Sequence, residues 1–152
     1  MSKVLLLVGS KSDLETMEKA VAVLNELKID SNLEVSSAHR QPDRTKELAS
    51  GAQSAGYSVV ICGAGLSAAL PGVVAAYTEL PVLGVPLAAS GLGGMDALLS
   101  ISQMPKGVPV GCLAIGSHGA VNAALLAARI IALHDKEVAA SVSEYRKKLM
   151  QA

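Results

Sequence analysis

The stretch KVLLLVG (Lys3–Gly9) is a lysine followed by an unbroken aliphatic run that ends at a glycine. A strand covered on both faces, as in parallel sheets, has this composition because neither face has to meet water. Ser12 and Glu15 have the S-x-x-E spacing of a capping box, which predicts a helix that begins at about Ser12. The apolar residues of that helix recur at helical spacing: Leu14, Met17, Val21, Leu24 and Leu27. A buried strand followed by a helix is the unit of a parallel α/β sheet.

The same unit repeats along the rest of the chain. Further strands are predicted at LEVSS (33–37), YSVVICG (57–63), PVLGVP (81–86) and GVPVGCLAI (107–115). The other helices are predicted at Pro42–Ala55, Ala68–Tyr77, Met95–Gln103 and Val121–Leu133. About five strands that alternate with helices predict a three-layer, doubly wound parallel sheet, flavodoxin-like, with right-handed crossovers. The length and the lack of a linker predict a single α/β domain, residues 1–152.

The last segment, Asp135–Ala152, is charged and carries one narrow apolar stripe. The stripe consists of Val138, Val142, Tyr145 and Leu149. We expect this C-terminal helix to dock on a neighbouring subunit, because a narrow stripe at a chain end needs a partner surface. The chain also has no Phe or Trp, so its core must be built from small aliphatic side chains that pack closely or are buried between subunits.

Charge and hydropathy argue against several partners. Thirteen basic and thirteen acidic residues cancel, so no electrostatic field favours a nucleic acid or an anionic membrane surface. No apolar run reaches the roughly 20 residues of a membrane span, and the N-terminus does not have the pattern of a secretory signal. We therefore expect a soluble protein in the cytoplasm. Cys62 and Cys112 lie apart in apolar runs, which predicts buried thiols rather than a metal or redox pair.

The segments that follow the predicted strands are where a ligand is expected, since open parallel sheets bind ligands outside the carboxyl ends of their strands. These segments are GSKSD (9–13), SSAHR (36–40), GAGLSAALPG (63–72), GVPLAASGLGG (84–94) and AIGSHGA (114–120). Three of them are rich in Gly, Ala and Ser, which leaves room beside the backbone and offers N–H groups to a ligand. Such a crevice suits a phosphate or a small flat molecule.

Ser10, Asp13 and Arg40 are the candidate binding residues. Ser10 and the free N–H groups of a helix that begins near Ser12 could hold a phosphate, whereas the anion Asp13 suits donors such as ribose hydroxyls. Arg40 adds a guanidinium, which can donate two parallel hydrogen bonds to two oxygens of a phosphate. On the pattern alone, Ser12 and Asp13 could equally be helix-start residues and Arg40 a surface arginine.

His39 is the candidate acid and base. Histidine ordinarily titrates near neutrality, so it can give and take a proton within one turnover. A purely structural role at the strand end is the alternative. His118 is a second crevice position after the last strand, and His134 suits the end of a helix, where a cation is favourable.

GAGLSA (63–68) satisfies G-x-G-x-x-A and so imitates a dinucleotide fingerprint. That fingerprint belongs in the first strand-turn-helix unit and needs an acidic residue about 20 positions later, at a strand end. Glu79 comes too early for this role. Ser67 faintly resembles an acyl-hydrolase nucleophile, but Ala69 stands where that motif requires glycine. Neither interpretation is favoured.

Taken together, GSKSD, SSAHRQPD, GAGLSAALPG, LPVLGVP, LLSISQMPKGVPVGCLAIG and NAALLAARI resemble the bacterial family of N-carboxyaminoimidazole ribonucleotide mutases of purine biosynthesis. The resemblance runs in order through nearly the whole chain. It implies an isomerase that moves a carboxyl group from the exocyclic amine of an aminoimidazole ribonucleotide to a ring carbon. It also implies no cofactor (no metal, biotin or nucleotide) and assembly as a homo-octamer.

The resemblance also implies roles for individual residues. His39 matches the catalytic histidine of the family, and Ser10, Asp13 and Arg40 match ribonucleotide-binding residues. Five further residues are weaker candidates for substrate binding. They lie in the same segments and in GAGLSAALPG, and they are Ser12, Ser37, Gly63, Ala64 and Gly65. The small-residue segments would wall a dry pocket in which released carbon dioxide is trapped before the ring carbon recaptures it.

One departure from the family is visible at Ala69. Many members read A-H-L-P-G where this chain has Ala69 before LPG, so a second crevice histidine is absent here, and His118 is the candidate to replace it. A related class carboxylates aminoimidazole ribonucleotide directly with carbon dioxide and usually has lysine after the histidine, so Arg40 favours the mutase. A nonenzymatic nucleotide-binding module, of flavodoxin or dinucleotide type, is the remaining alternative.

Overall fold

The structure, a computed structural model, describes residues 2–152 as alternating strands and helices. The strands are β1 (Lys3–Val8), β2 (Asp30–Val35), β3 (Tyr57–Gly65), β4 (Val82–Leu87) and β5 (Gly111–Cys112). The helices are α1 (Leu14–Glu26), α2 (Pro42–Gly51), α3 (Leu70–Ala75), α4 (Met95–Ser102), α5 (Ser117–Ala132) and α6 (Lys136–Gln151). Within this range no helix is both long enough and apolar enough to cross a bilayer.

All five strands pair in parallel in one sheet with the order β2-β1-β3-β4-β5. This order is that of flavodoxin-like proteins, and it confirms the predicted doubly wound sheet. Val8, the last residue of β1, pairs with Val35 at the end of β2 and with Gly63 near the end of β3. The carboxyl ends of these three strands are therefore level, and the loops that follow them emerge side by side.

The helices cover both faces of the sheet. Two hydrophobic clusters form the core, and alternate residues of β1 belong to different clusters. Leu6 lies in the first, with α1, α5 and α6, and Leu7 lies in the second, with α2, α3 and α4. Cys62 is fully buried in the second cluster, as predicted, whereas Cys112 is only half-buried against it; both are free thiols. The chain thus leaves β1 toward one face of the sheet and leaves β3 toward the other.

The core replaces aromatic bulk by close approach of backbones. The buried face of α5 is made largely of alanine: Ala120, Ala123, Ala124, Ala127 and Ala128. A Cβ added at Gly119 would lie 1.6 Å from the carbonyl oxygen of Ala114, so α5 begins in direct contact with the segment that follows β5. A Cβ at Gly84 of β4 would lie 2.4 Å from Ile101 of α4. Small residues at these contacts allow helix and sheet to pack without voids.

Several predicted boundaries are wrong for local reasons. The capping box does not form, because a short 3₁₀ turn at Lys11–Asp13 precedes α1 and Ser10, not Ser12, accepts a hydrogen bond from a backbone N–H there. The last strand has two residues instead of the nine predicted for segment 107–115. Gly107 has a φ of +99°, and Pro109 has no N–H to donate to a ladder, so this segment cannot pair as a regular strand.

The C-terminal helix α6 packs most of its apolar stripe on its own chain, so the stripe has a partner surface without a neighbouring subunit. Val138 is buried, and Val142 and Tyr145 pack against the cluster formed by β1, α1 and α5. Only Leu149 of the predicted stripe remains largely exposed, at 59%. Docking of α6 on a neighbouring subunit stays a prediction, and the exposed last turn is the part of the stripe that its own chain leaves uncovered.

We predict that Gly119→Ala destabilises the fold on the order of 3 kcal/mol, because the new Cβ forces α5 away from the Ala114 carbonyl. Gly51→Ala, also at a helical position, is the matched control, since a Cβ there meets nothing within 4 Å. This control should keep or gain stability, by up to about 1 kcal/mol. Urea unfolding measures both changes, and equal midpoints for the two variants would contradict the close-approach account.

Candidate active site

A cleft of about 580 Å³ lies at the carboxyl ends of β1, β2 and β3. Its lining comes from the last two residues of β3, the segments that follow the three strands and one residue beyond β4: Gly9, Ser10, Ser12, Asp13, Ser37, Ala38, His39, Arg40, Ala64, Gly65, Leu66, Ser67, Ala68, Ala69, Leu70 and Ala89. Nine residues are predicted from the sequence to belong to the site, and eight of them line this cleft. The exception is Gly63.

The loop after β1 presents two hydroxyl groups and a carboxyl group. The Oγ atoms of Ser10 and Ser12 are 3.0 Å apart, and Ser10 Oγ also accepts a 3.4 Å hydrogen bond from the Ser12 backbone N–H. Burial raises the pKa of the Asp13 carboxyl, and a hydrogen bond from the Ser10 backbone partly offsets this effect. A half-buried carboxyl beside two hydroxyls can accept hydrogen bonds from a polar ligand.

The loop after β2 is anchored below the cleft by buried polar contacts. Ser36 donates its backbone N–H to Val8 O at 2.8 Å, which ties the start of the loop to β1. The Oγ of Ser36 lies 2.8 Å from Thr45 Oγ1, and the Thr45 hydroxyl in turn donates to Gln41 O. Because the Thr45 proton is used there, Ser36 is the donor of the pair. The exposed tip of the loop, which carries His39, is thus held between two fixed ends.

Arg40 bridges the loops after β1 and β2. Its Nε donates to Ser37 Oγ at 3.4 Å, and one terminal nitrogen donates to Gly9 O at 3.3 Å. Among residues 2–152 no acidic side chain pairs with it, whereas nearby Arg44 forms an ion pair with Glu34. The guanidinium is therefore oriented toward the cleft with its charge uncompensated, as a site for an anion requires.

The glycines at the end of β3 have packing roles. Strand β3 extends through Gly65, so the GAGLSA segment does not form the strand-to-helix turn of a dinucleotide fingerprint. A Cβ at Gly63 would lie 2.7 Å from Met17, and Gly63 is buried outside the cleft lining. A Cβ at Gly65 would lie 2.7 Å from Ala89 Cβ. Packing thus explains why Gly63 lacks a side chain, and its predicted ligand contact is not supported by its position.

The turn that follows is strained. Leu66 and Ala68 have φ values of +54° and +41°, and the Ala68 backbone N–H donates to Gly65 O at 2.9 Å. Left-handed backbone at a residue other than glycine costs about 1–3 kcal/mol and is concentrated at functional sites. No sequence signal points to it, because neither leucine nor alanine favours this conformation.

Of the other positions noted in the sequence, one lines the cleft and two lie away from it. Ala69 lines the cleft, so the departure from A-H-L-P-G falls inside the site. His118 is exposed in the first turn of α5 and does not line the cleft, which gives no support to its taking over a second histidine role there. His134 follows α5, also away from the cleft. Within residues 2–152, no group of three His, Cys, Asp or Glu side chains lies close enough to hold a metal ion.

The fold and the cleft define a doubly wound α/β protein whose candidate site, with one histidine and one unpaired arginine, lies at the topological switch point between β1 and β3. The chain belongs to the AIR carboxylase family, whose family model matches residues 3–152. Its relatives include two proteins named N5-carboxyaminoimidazole ribonucleotide mutase. The one from Brucella melitensis is 54% identical over 144 residues, covering 95% of this chain and 89% of the relative. The one from Escherichia coli K12 is 51% identical and covers 96% and 86%.

Solved structures agree with this assignment. The crystal structure of Treponema denticola PurE superimposes with a TM-score of 0.87 at 29% identity, covering 99% of this chain and 93% of that one. A variant of Treponema denticola PurE2 superimposes with a TM-score of 0.89 at 30% identity, covering 99% of this chain and 92% of that one. The likeness therefore extends over the whole sheet and its helices.

We predict that Asp13→Asn leaves the chain at least as stable as the parent at pH 7. Because burial raises the pKa of Asp13, the folded chain binds a proton there more tightly than the unfolded chain does, and the ionised carboxylate lowers stability. This loss appears as the pH rises through the folded pKa and is absent below the ordinary aspartate pKa of about 3.9. Thermal unfolding between pH 3 and 7 should show the two curves converging in acid, and a less stable variant at pH 7 would contradict the assignment.

Proposed function

We propose that this chain is an N5-carboxyaminoimidazole ribonucleotide mutase. It converts N5-carboxyaminoimidazole ribonucleotide to 4-carboxy-5-aminoimidazole ribonucleotide in purine biosynthesis. The observation that carries the proposal is the pairing of His39 with the unpaired Arg40 at the tip of one anchored loop, inside a cleft that also holds hydroxyl groups. Curated relatives at 50–54% identity bear the mutase name, which disfavours the alternative of direct carboxylation by carbon dioxide.

The cleft has a polar half and an apolar half, and this division orients the substrate. Ser10, Ser12, Ser37 and Arg40 come from the loops after β1 and β2, and they receive the phosphate. Asp13, on the same side, accepts hydrogen bonds from the ribose hydroxyls. The loops after β3 and β4 contribute alanine and leucine side chains, against which the flat imidazole ring packs.

His39 moves the proton in both halves of the reaction. In the first step the bond between the exocyclic nitrogen and the carboxyl carbon breaks, the electron pair stays on nitrogen, and protonated His39 gives that nitrogen its proton. In the second step the ring carbon attacks the freed carbon dioxide and forms a C–C bond. Neutral His39 then removes the proton from that ring carbon, which restores the aromatic ring and its own proton. These two steps together need no external oxidant or reductant.

The apolar half of the cleft keeps the carbon dioxide in place. The released molecule is neutral and small, so it must recombine faster than it diffuses out, and excluded water helps to prevent its loss. Ala64, Ala68 and Leu70 are buried and line this part of the cleft. They leave room for the reacting groups and offer no polar atom from a side chain to compete for them.

The proposal extends to a homo-octamer, as the resemblance implies, and to the cytoplasm. Exposed apolar side chains provide surface that contacts between subunits would cover. Leu92, Met95 and Leu99 lie on or just before α4 and are each more than half exposed, and Leu149 and Met150 end α6. Of these positions only Leu149 belongs to the apolar stripe of α6, at its exposed end.

Separate supply of the two possible substrates tests the function. The purified chain is given N5-carboxyaminoimidazole ribonucleotide, or aminoimidazole ribonucleotide with dissolved carbon dioxide, and formation of the 4-carboxy product is followed. A mutase forms product from the carbamate at concentrations of carbon dioxide too low for direct carboxylation. Product formed only from aminoimidazole ribonucleotide and carbon dioxide would establish the carboxylase instead, and binding without either reaction would establish a nonenzymatic module.

We predict that His39→Asn binds the ribonucleotide but loses turnover by about 10²–10⁴-fold, the contribution of general acid and base catalysis. Asparagine keeps a hydrogen-bonding group of similar shape but cannot titrate. Titration calorimetry should give nearly unchanged binding, and His118→Asn, outside the cleft, is the matched control for loss of a histidine. A His39→Asn variant that kept more than about a tenth of the parental rate would assign the proton transfer to another group.

We predict that Arg40→Leu weakens substrate binding by about 2–4 kcal/mol, because a charge-assisted pair with the phosphate is lost. Folding should be little affected, since the side chain is exposed and its hydrogen bonds to Ser37 and Gly9 are long. Arg44→Leu, which removes an arginine paired with Glu34, serves as the control. Unchanged binding by Arg40→Leu at low salt would exclude the phosphate role.

A further inference from the structure

Leu66 differs from every other residue that lines the cleft. It is 56% exposed, and the remaining apolar lining consists of alanines and the buried Leu70. Its side chain is thus the one large apolar group of the lining that is free to contact a ligand. Exposure of a leucine in this position is costly in water, and it is relieved when a flat apolar surface covers the side chain.

The backbone at Leu66 is held in an unfavourable conformation. Leu66 and Ser67 are the central residues of a turn closed by the hydrogen bond from Ala68 N–H to Gly65 O, and Leu66 has a φ of +54°. The first central position of a turn with φ of this sign is dominated by glycine, asparagine and aspartate. A leucine here therefore works against the local preference of the chain.

Both ends of this turn are fixed by packing, so the strain cannot relax by a shift of the whole loop. On one side Gly65 is pressed against Ala89, where a Cβ would lie 2.7 Å from the Ala89 Cβ. On the other side Ala68 and Leu70 are buried in the core, at 5% and 3% exposure. The loop thus keeps the Leu66 side chain at the cleft, against both solvation and backbone preference.

We propose that Leu66 is a positioning residue of the reaction: its side chain packs on the imidazole ring and closes the apolar half of the cleft over the carbon dioxide. The assignment rests on the proposed function. Substrate then covers the exposed leucine, and the leucine in turn excludes water and blocks the exit of the freed molecule. Such a residue acts on the fate of the intermediate and not on the proton transfer, which belongs to His39.

Three substitutions separate the side chain from the backbone strain. Leu66→Gly removes the side chain and suits the left-handed backbone, Leu66→Ala removes it and keeps the strain, and Leu66→Met keeps the apolar bulk. Lys28→Gly is the matched control for strain relief, since Lys28 also has a positive φ, of +60°, and lies outside the cleft. For each purified variant the experiment measures thermal unfolding, kcat, KM, and the share of carbamate that ends as free aminoimidazole ribonucleotide. That share is corrected for uncatalysed loss of carbon dioxide.

We expect the variants that lack the side chain to lose coupling, which means that more of the carbamate ends as free aminoimidazole ribonucleotide. Their stability should be kept. Leu66→Gly and Leu66→Ala should both raise the released share several-fold and lower kcat/KM by about tenfold or more, as for loss of apolar contact in a pocket. Leu66→Met should stay within about threefold of the parent, because apolar volume is kept. Leu66→Gly and Lys28→Gly should unfold at or above the parental temperature, with Lys28→Gly kinetically unchanged.

A Leu66→Gly variant with parental coupling and parental KM would overturn the assignment while leaving the proposed function intact. The assignment is also overturned if Leu66→Gly unfolds at a temperature well below that of the parent and the fall in kcat/KM is explained by this instability. The role of Leu66 would then be structural. A parent chain that converts neither substrate would overturn the proposed function and the role of Leu66 with it.

Discussion

The divergence of the chain at β1 and β3 is the constraint on which the site depends. These two strands are neighbours in the sheet, yet α1 leaves β1 toward one face and α3 leaves β3 toward the other. No helix can then cover the ends of both strands, and a cleft has to remain between the loops that follow them. The register between Val8 and Gly63 keeps the two ends level, so residues from both loops reach the same volume.

The residues around this cleft divide its chemistry in two. The loops after β1 and β2 contribute hydroxyls, a half-buried carboxyl and the unpaired Arg40, while the loops after β3 and β4 contribute alanine and leucine. In this chain, which has no net charge, the oriented guanidinium of Arg40, and not a broad electrostatic field, is what the cleft offers to an anion. A ribonucleotide has the same division, with a charged phosphate at one end and a flat base at the other. The shape of the site and the proposed reaction therefore depend on the same arrangement of loops.

Patterns that reflect burial were predictable, and contacts that form only in three dimensions were not. The apolar run of β1 led correctly to a parallel sheet, because a strand buried on both faces leaves this trace in the sequence. The positions of His39 and Arg40 at a strand end placed them correctly in the cleft. The close approach of Gly63 to Met17 leaves no such trace, since it joins residues far apart in the chain. The left-handed turn at Leu66 leaves none because leucine does not favour that conformation. Gly107 and Pro109 both disfavour a long β5. The apolar residues around them nevertheless led to the prediction of a longer strand.

In the proposed reaction one cleft releases and recaptures the same carbon dioxide molecule. Retention of isotope tests it most directly. The purified chain is given N5-carboxyaminoimidazole ribonucleotide with a ¹³C-labelled carboxyl group, in a large excess of unlabelled carbon dioxide and bicarbonate, and the product is examined by ¹³C NMR before uncatalysed exchange is appreciable. We expect the carboxyl group of the 4-carboxy product to keep its ¹³C label. A product that carries the isotope of the surrounding pool would contradict this expectation, because the carbon dioxide would then have left the cleft before the new bond formed.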